Sequence, residues 1–417
     1  MRVMIETDAG GDPDDEQSLV RFLLYASEWD IAGIIANRPL ARDGENLNTV
    51  RTGLGIVRRQ IDAYGECYPN LVQHDARFPT EAFLQAHTVP GHNDVDDGVQ
   101  LLIDAVDRDD PRPLWFCNWG TDDGAAMSCL RRALDRVFAE RGPDGYARFK
   151  SRIRLSSSDE FGAHTYDIAP AFPFWVDTFR PEIDRRRWYH RFSAITATAG
   201  GFDIERDVRT GHGPLGALYP TNTTHPQKEG DSMSFMYLVP TGMNDPNHPD
   251  WGSWAGRYGL QDEAQGRQYF WANQSDAWRG TTHRENSLAR WAEHLQNDFR
   301  ARLDWCVNPR DQANHPPKVS IDGELHRTAK AGEEIILDGS PSTDLDGDQL
   351  HFAWMHYAEA SSGHVAIDLR DADKSRATFT VPDAPAGAAI QCVLTVTDDG
   401  EPALTRYARV IVTVADE

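Results

Sequence analysis

One stretch near the start of the chain, residues 3–16, constrains the fold more than any other. It begins with a short apolar run and passes through an acidic loop that contains Gly10 and Gly11. After Glu16 the apolar residues follow a helical spacing. A buried strand, a polar loop and a helix in this order form the βα unit of α/β proteins, which places loop residues at the carboxyl edge of a parallel sheet.

The loop is rich in negative charge. Its six carboxylates belong to Glu6, Asp8, Asp12, Asp14, Asp15 and Glu16. Carboxylates this close together repel one another unless a cation lies among them, and an oxygen-only ligand set favours Ca²⁺. The alternative is a solvated acidic turn at a helix N-terminus, where Asp is a common residue. This stretch by itself leaves both interpretations open.

The same pattern recurs along the first part of the chain. Apolar runs at 31–36, 113–117 and 152–155 each end in polar residues, and helical patterns separate them. Strands that alternate with helices predict an α/β domain with a mainly parallel, open sheet. The polar residues at the strand ends should then meet at one rim, where such folds bind ligands.

Beyond a polar linker the hydrophobic period changes to two. Six strand-like segments follow, at 318–321, 334–337, 350–354, 377–381, 390–396 and 408–414. This pattern predicts an all-β, immunoglobulin-like sandwich. We therefore predict an α/β domain at 1–307, a linker at 308–317 and a sandwich at 318–417.

Charge and composition argue against several classes of function. The chain of 417 residues has 65 acidic and 42 basic side chains and a net charge of −23, which disfavours nucleic acids and anionic membranes as partners. No apolar stretch is long enough to span a membrane. Five widely spaced cysteines indicate neither a disulfide framework nor a zinc site. The chain opens on a strand, so we expect a cytoplasmic protein, or a secreted or periplasmic one if a leader was removed.

The acidic loop resembles the opening motif of the nucleoside hydrolases, Ca²⁺-dependent enzymes that cleave N-ribosides. Their motif is Asp-x-Asp-Pro-Gly-x-Asp-Asp after a strand. Residues 6–15 keep its second Asp, a Gly and the Asp-Asp pair, with Glu6 in the first place and a longer loop. Three further family motifs are similar to residues 34–37, 119–124 and 230–232. The resemblance implies an α/β fold of nucleoside-hydrolase type.

A closer resemblance is to a branch of cellulose-binding proteins with a nucleoside-hydrolase-like domain. Residues 211–220, 229–231 and 248–254 carry it, and these proteins also end in an immunoglobulin-like sandwich. This resemblance implies a carbohydrate partner, a plant or microbial glycan or glycoside. Homodimers are common in the wider family, so a homodimer is expected here.

The resemblance also implies a ligand set for Ca²⁺. Asp8, Asp15 and Asp231 correspond to its carboxylate ligands, and the backbone carbonyl of Trp119 or Asn118 corresponds to a further one. Oxygen ligands from separate strand ends suit an ion that also binds water and sugar hydroxyls.

The other rim residues have roles by the same resemblance. Asp8 or Asp14 corresponds to the aspartate that takes the proton of the attacking water, and Asp14 and Asn37 correspond to residues that bind sugar hydroxyls. The family's leaving-group histidine is Gly230 here. This departure argues against purine and pyrimidine ribosides as substrates.

Several loop residues are further candidates for binding substrate. They are Asp159, Glu160, Trp175, His212, Glu229, Trp251 and Trp254. Acidic residues at a predicted strand end can donate a proton to a leaving group, and tryptophan rings stack on apolar faces of sugars. The alternatives are a solvated loop, a histidine bonded to the backbone and tryptophans that fill the core.

A second candidate Ca²⁺ site lies in the predicted sandwich. Asp344, Asp346 and Asp348 resemble the acidic loop of cadherin- and PKD-like modules, and an ordinary Asp-Gly turn is the alternative.

Three functions stay open on the sequence. The first is a Ca²⁺-dependent glycoside hydrolase that acts on a carbohydrate, and the second is a non-catalytic protein that binds cellulose or another polysaccharide. The third is a true nucleoside hydrolase. The retained carboxylates favour the first function, because a pure binding protein has no need for such a cluster, and the loss of the base-side residues disfavours the third.

Overall fold

The computed structural model describes residues 1–43, 49–92, 95–120, 128–157, 172–177, 192–222, 227–260, 268–362 and 365–416. Within these ranges the first part of the chain contains eight strands of one sheet. They are β1 (Arg2–Thr7), β2 (Asp30–Ala36), β3 (Thr88–Pro90), β4 (Leu114–Asn118), β5 (Ile153–Ser157), β6 (Phe174–Asp177), β7 (Gly259–Leu260) and β8 (Gln268–Trp271). Their order is β3-β2-β1-β4-β5-β6-β8-β7, and every neighbouring pair is parallel except β7 with β8. The predicted mainly parallel sheet is confirmed.

Helices cover the sheet, and a small hairpin, β9 (Asp276–Trp278) with β10 (Thr281–His283), lies beside it. The described helices are α1 (Asp14–Leu24), α2 (Gly53–His74), α3 (Glu81–Ala86), α4 (Asp97–Asp107), α5 (Cys129–Ser151), α6 (Phe192–Thr198), α7 (Gly213–Ala217), α8 (Ser232–Met236), α9 (Asn286–Ala289) and α10 (Ala292–Asp304). None of them is both long and apolar enough to cross a membrane.

Strand β1 is the centre of the topology. The chain runs outward from β1 through β2 to β3 and then places β4 on the other side of β1. The connections from β1 and from β4 therefore lead away in opposite directions, and a crevice forms at the carboxyl ends of these two strands. This crevice is where an open α/β sheet binds its ligand.

Each face of the sheet has its own apolar core. Val3 and Ile5 of β1 pack in a cluster with residues of α1 and α2, whereas Met4 packs in a second cluster with residues of α4 and α5. Successive side chains of a strand point to opposite faces, so a central strand covered on both sides is apolar throughout. The continuous apolar run at the start of the chain is explained in this way.

The end of the chain is all-β. Its strands are β11 (His326–Ala329), β12 (Glu334–Asp338), β13 (His351–His356), β14 (Arg376–Thr380), β15 (Ala389–Thr397) and β16 (Thr405–Val414). One sheet has the order β11-β16-β15-β13, a second pairs β12 with β14, and residues of both sheets share one core. The all-β region is confirmed, while its immunoglobulin-like type stays a prediction.

One predicted strand of this region, 318–321, is wrong. Lys318 makes a single bridge with Thr343, and the backbone N–H of Ser320, two residues later, donates to the Ser342 hydroxyl at 3.1 Å instead of to a strand. The pairing strand begins later, at His326.

The α/β and all-β regions are packed against each other. Tyr357 and Tyr407 belong to the same apolar cluster as α9 and α10. The Tyr407 hydroxyl accepts a hydrogen bond from the indole of Trp254 at 3.2 Å and lies 2.6 Å from Nδ1 of His294. The domain limits 1–307, 308–317 and 318–417 stay predictions.

Candidate metal centre

Three carboxylates from two distant parts of the chain meet at the carboxyl edge of β1. Asp14 and Asp15 begin α1, and Asp231 directly precedes α8. One oxygen of each lies within 4.8 Å of the others. The three residues are only 8, 2 and 5% exposed. Negative charges this close and this buried repel one another strongly unless protons or a cation reduce the charge.

The end of β1 orients Asp15. Thr7 is the last residue of the strand, and its hydroxyl donates to Asp15 Oδ1 at 2.5 Å. The same hydroxyl accepts the backbone N–H of Ala9 at 3.2 Å. A side chain at the strand end therefore holds the first turn of α1 against the sheet.

The backbone around Asp231 is tied to the neighbouring strand ends through Ser234. The Ser234 hydroxyl donates to the backbone carbonyl of Asp231 at 2.8 Å and accepts the indole N–H of Trp119 at 2.9 Å. The backbone carbonyl of Ser234 accepts the Ser156 hydroxyl, also at 2.8 Å. Residues that follow β4 and end β5 thus position Asp231 over the crevice.

Glu229 anchors the turn before Asp231. It forms a buried, two-point ion pair with Arg21 of α1, in which Arg21 Nη2 is 2.9 Å from Glu229 Oε1. Tyr219, Gln227 and Ser232 also donate to its carboxylate, at 2.7, 2.7 and 2.8 Å. Glu229 was a predicted substrate-binding residue, but these protein donors occupy its carboxylate.

Electrostatics at the cluster favour a bound cation. Burial raises the pKa of Asp14 to about 6, and the nearby ammonium of Lys228 only partly offsets this effect. Burial, followed by the charges of Asp8, Asp231 and Asp14, raises the pKa of Asp15 well above its ordinary value. Without a metal these two carboxylates therefore bind protons at a higher pH than ordinary aspartates do.

One side-chain cation lies at the edge of the cluster. The ammonium of Lys228 pairs with Asp12, and it is 3.5 Å from Asp14 Oδ2. Burial lowers the pKa of Lys228, but the charges of Asp14 and Asp12 outweigh burial and raise it overall. Lys228 is therefore a permanent positive charge beside the three carboxylates.

Asp8, a predicted ligand, lies next to the group of three rather than within it. Its carboxylate pairs with Arg38 at 3.3 Å, and Arg38 Nε also donates to its backbone carbonyl. On its other side, a Cβ added to Gly120 would be 2.9 Å from Asp8 Oδ1. Among the described residues, Asp14 takes the third place in the converging set that the sequence assigned to Asp8.

The ends of β2 and β4 complete the rim. Asn37 Nδ2 donates to the backbone carbonyl of Gly120 at 2.8 Å, which bridges the two strand ends. Asn118 is the last residue of β4, and the backbone N–H of Trp119 donates to the carbonyl of Glu6 at 2.9 Å. The backbone that was predicted to supply a further ligand therefore lies beside the end of β1.

The donor set fits a hard divalent cation. The converging atoms are carboxylate oxygens, which Ca²⁺ prefers, and they come from a strand-end loop and a separate turn. Within the described ranges no His or Cys belongs to the group, which disfavours zinc.

Most of the other predicted substrate residues are engaged elsewhere. Trp175 and Trp254 are 3 and 1% exposed and pack in apolar cores, so neither ring has an open face for a sugar. His212 pairs with Asp304 at 3.1 Å. Trp251 is partly exposed and stacks on His248, with ring centroids 3.9 Å apart. Asp159 and Glu160 lie outside the described residues.

Sequence reasoning missed three residues that contact the cluster or the neighbouring Asp8. They are Thr7, Arg38 and Lys228. Arg38 and Lys228 had a detectable signal, since each directly neighbours a motif residue, Asn37 or Glu229, in an otherwise acidic rim. Thr7 had none, because a threonine at a strand end is common.

The second acidic group, in the all-β region, is held by the chain itself. Asp344 Oδ1 accepts the backbone N–H groups of Asp346, Gly347 and Asp348 at 2.8, 2.9 and 3.1 Å. His315 donates its backbone N–H to Asp346 at 2.7 Å. One oxygen of each carboxylate lies within 4.8 Å of the other two, so a second Ca²⁺ stays a prediction.

Both the α/β region and the all-β region match known protein families. Residues 2–258 match the family described as cellulose-binding Sde182, nucleoside hydrolase-like domain, and residues 334–414 match the C-terminal domain of cellulose-binding protein Sde0182. No curated protein matches the chain.

One solved structure agrees with this assignment. A nucleoside hydrolase-related hypothetical protein from Saccharophagus degradans, associated with carbohydrate metabolism, is 30% identical, with 99% of each chain covered and a TM-score of 0.77. The PKD domain of KIAA 1837 protein is 20% identical over 25% of this chain and 95% of its own. Its TM-score of 0.19 carries no weight. The chain therefore belongs to the Sde182 family of cellulose-binding proteins with a nucleoside hydrolase-like domain.

Proposed function

We propose that this protein is a Ca²⁺-dependent hydrolase of glycosyl bonds in a carbohydrate substrate. The observation that carries the proposal is the convergence of Asp14, Asp15 and Asp231, all buried, at the crevice beside β1. Such a cluster is costly to fold, and a role limited to polysaccharide binding does not require it.

The residues of the crevice divide into three roles. Asp14, Asp15 and Asp231 hold the cation, and the backbone at Asn118 and Trp119 contributes a carbonyl. When bound, Ca²⁺ supplies Lewis acidity toward water and a template for sugar hydroxyls.

Asp8 is the base in this proposal. It lies outside the converging set, next to Asp15, and accepts the proton of the attacking water. Arg38 holds the Asp8 carboxylate in place, and Asn37 lines the rim where the sugar binds.

The relatives support a carbohydrate as the substrate class. The family is named for cellulose binding, and the related protein from Saccharophagus degradans is associated with carbohydrate metabolism. The same names favour a second candidate function, a polysaccharide-binding protein without turnover. In that case Lys228, rather than a metal, balances the charge of the carboxylates.

Turnover with and without a chelator separates these functions. Hydrolysis of aryl glycosides, aryl furanosides and nucleosides is measured in excess Ca²⁺ and in EDTA. We expect glycoside turnover that EDTA abolishes and that Asp15→Asn lowers by about 100-fold or more, since a metal contributes several kcal/mol to catalysis.

The matched control is Asp344→Asn, which removes a carboxylate from the second acidic group and should leave turnover unchanged. Retention on insoluble cellulose without any EDTA-sensitive turnover would instead establish the binding function. Turnover confined to nucleosides would identify a nucleoside hydrolase.

A further inference from the structure

The edge of the sheet opposite the carboxylate cluster contains a cavity of about 240 Å³. Arg112, Arg152 and Arg154 line it together with Phe174 and Gln268, and none of the described lining residues is acidic. These residues precede or begin the strands β4, β5, β6 and β8, so the cavity lies at their amino ends. Strands of five residues separate it from the carboxyl edge by about 15 Å.

Arg154 lies in this cavity without a carboxylate partner among the described residues. It forms no ion pair with any described residue, and its Nη1 atom is buried without a hydrogen-bond partner in the described part of the chain. Its guanidinium lies over the ring of Phe174, 4.3 Å from the centroid. Burial lowers the pKa of Arg154, and only the weaker attraction of Tyr237 and Asp245 opposes this effect.

The other two arginines do not bring acidic groups into the cavity lining. Arg152 donates to the backbone carbonyls of Arg108 and Asp110, at 2.7 and 2.8 Å. Arg112 pairs with Asp110 at 2.7 Å and with Asp30. Asp110 and Asp30 therefore pair with Arg112, whereas neither Arg152 nor Arg154 forms an ion pair with a described residue.

A guanidinium that pairs with no carboxylate of the described ranges is informative in this chain. Acidic side chains outnumber basic ones by 65 to 42, so acidic groups are not scarce. A partly buried, unpaired charge is destabilising, because desolvation is not repaid by a partner. Such an arrangement is expected where the partner is a ligand that arrives from solution.

We propose that this cavity is a binding site for a small oxyanion, carried on a sugar-sized molecule, with Arg154 as its main ligand. Guanidinium groups bind carboxylates and phosphates through paired N–H donors. A uronic acid and a sugar phosphate both carry an oxyanion of this kind. Both are also small enough for a cavity of this size.

Calorimetric titration of the full chain tests the site at constant ionic strength. The probes are glucuronate, glucose 6-phosphate and inorganic sulfate, with glucose as the neutral control. We expect saturable binding of at least one anion and none of glucose. Arg154→Met should weaken that binding at least tenfold, and Arg154→Lys should weaken it less because the charge is retained.

Two further variants locate the binding. Arg370→Met removes an exposed arginine of the all-β region and should leave anion affinity unchanged, as should Asp15→Asn at the carboxylate cluster. Preference between glucuronate and glucose 6-phosphate identifies the source of the oxyanion. The proposal is overturned if no anion binds saturably, if folded Arg154→Met binds as well as the wild type, or if Asp15→Asn abolishes binding.

Discussion

Lys228 lowers the net negative charge of the carboxylate cluster and so opposes the binding of a cation there. Its ammonium is 3.5 Å from Asp14 Oδ2 and repels any metal bound there. We expect Lys228→Met to raise the affinity for Ca²⁺ by about tenfold or more at pH 8, because nearby like charges repel by about 1.4 kcal/mol or more in a partly buried site. Calcium titration calorimetry measures the change.

Lys374→Met is the matched control, since Lys374 pairs with Asp371 on the exposed surface of the all-β region. An unchanged or lower affinity in Lys228→Met would show that the ammonium does not oppose a bound cation.

Proton binding by Asp14 and Asp15 predicts a pH-dependent stability. Their pKa values are raised, that of Asp14 from 3.8 to about 6 and that of Asp15 well above its ordinary value, so the metal-free folded protein binds more protons than the unfolded chain above pH 4. Its stability should therefore fall as pH rises through 6. Thermal midpoints in EDTA between pH 5 and 8 should decrease, and excess Ca²⁺ should remove the decrease.

Asp15→Asn removes one of the two carboxylates and should flatten the pH profile in EDTA. A profile in EDTA that rises over the same range would mean that the cluster does not hold protons in the metal-free protein.

The turn that carries Asp231 depends on a buried ion pair with α1. Glu229→Gln leaves Arg21 without its carboxylate, and breaking a buried pair costs about 3–5 kcal/mol. We expect urea unfolding to show a loss of this size, together with weaker Ca²⁺ binding because Asp231 is no longer held in place.

The control for this change is Glu334→Gln, which breaks the exposed pair with Arg370 and should cost less than about 1 kcal/mol. Equal losses in the two variants would contradict the anchoring role of Glu229.

The elements that hold the site were largely predictable from the sequence. The strands that end at Thr7, Ala36 and Asn118 are continuous apolar runs, which buried parallel strands require. Strand β6 was not predicted, because Pro173 and its aromatic neighbours resemble a loop, although a proline directly before a strand removes no ladder hydrogen bond.

The side-chain geometry of the site was harder to predict from the sequence. Asp231 was found through a family motif, but the place of Lys228 depends on the turn after it, where Glu229 has a φ of +40°. Residues other than glycine rarely adopt that conformation, so no local pattern predicts it. Whether Asp8 or Asp14 joins Asp15 and Asp231 depends on differences of a few ångströms in side-chain position. The spacing of residues in the sequence does not determine such differences.

At the scale of the whole molecule, a close backbone contact joins the α/β region to the all-β region. A Cβ on Gly242 would lie 2.0 Å from the carbonyl oxygen of Tyr407, and Gly242 has a φ of +90°. Gly242→Ala should therefore destabilise the protein by about 2 kcal/mol or more, from backbone strain and from separation of the contact. Denaturant unfolding measures the loss.

Gly387→Ala supplies the matched control. Gly387 has a similar φ of +83° but open space around its Cα, so only the strain of about 1–2 kcal/mol applies. If both variants lose the same stability, the contact between Gly242 and Tyr407 contributes nothing.

The central claim is that Asp14, Asp15 and Asp231 together hold a calcium ion, and its most direct test is calcium titration calorimetry at pH 8. We predict that the wild type and Asp344→Asn share a Ca²⁺ site that Asp15→Asn and Asp231→Asn both lose, with each variant folded by circular dichroism. The same number of sites and the same affinities in the wild type, Asp15→Asn and Asp231→Asn would contradict the account.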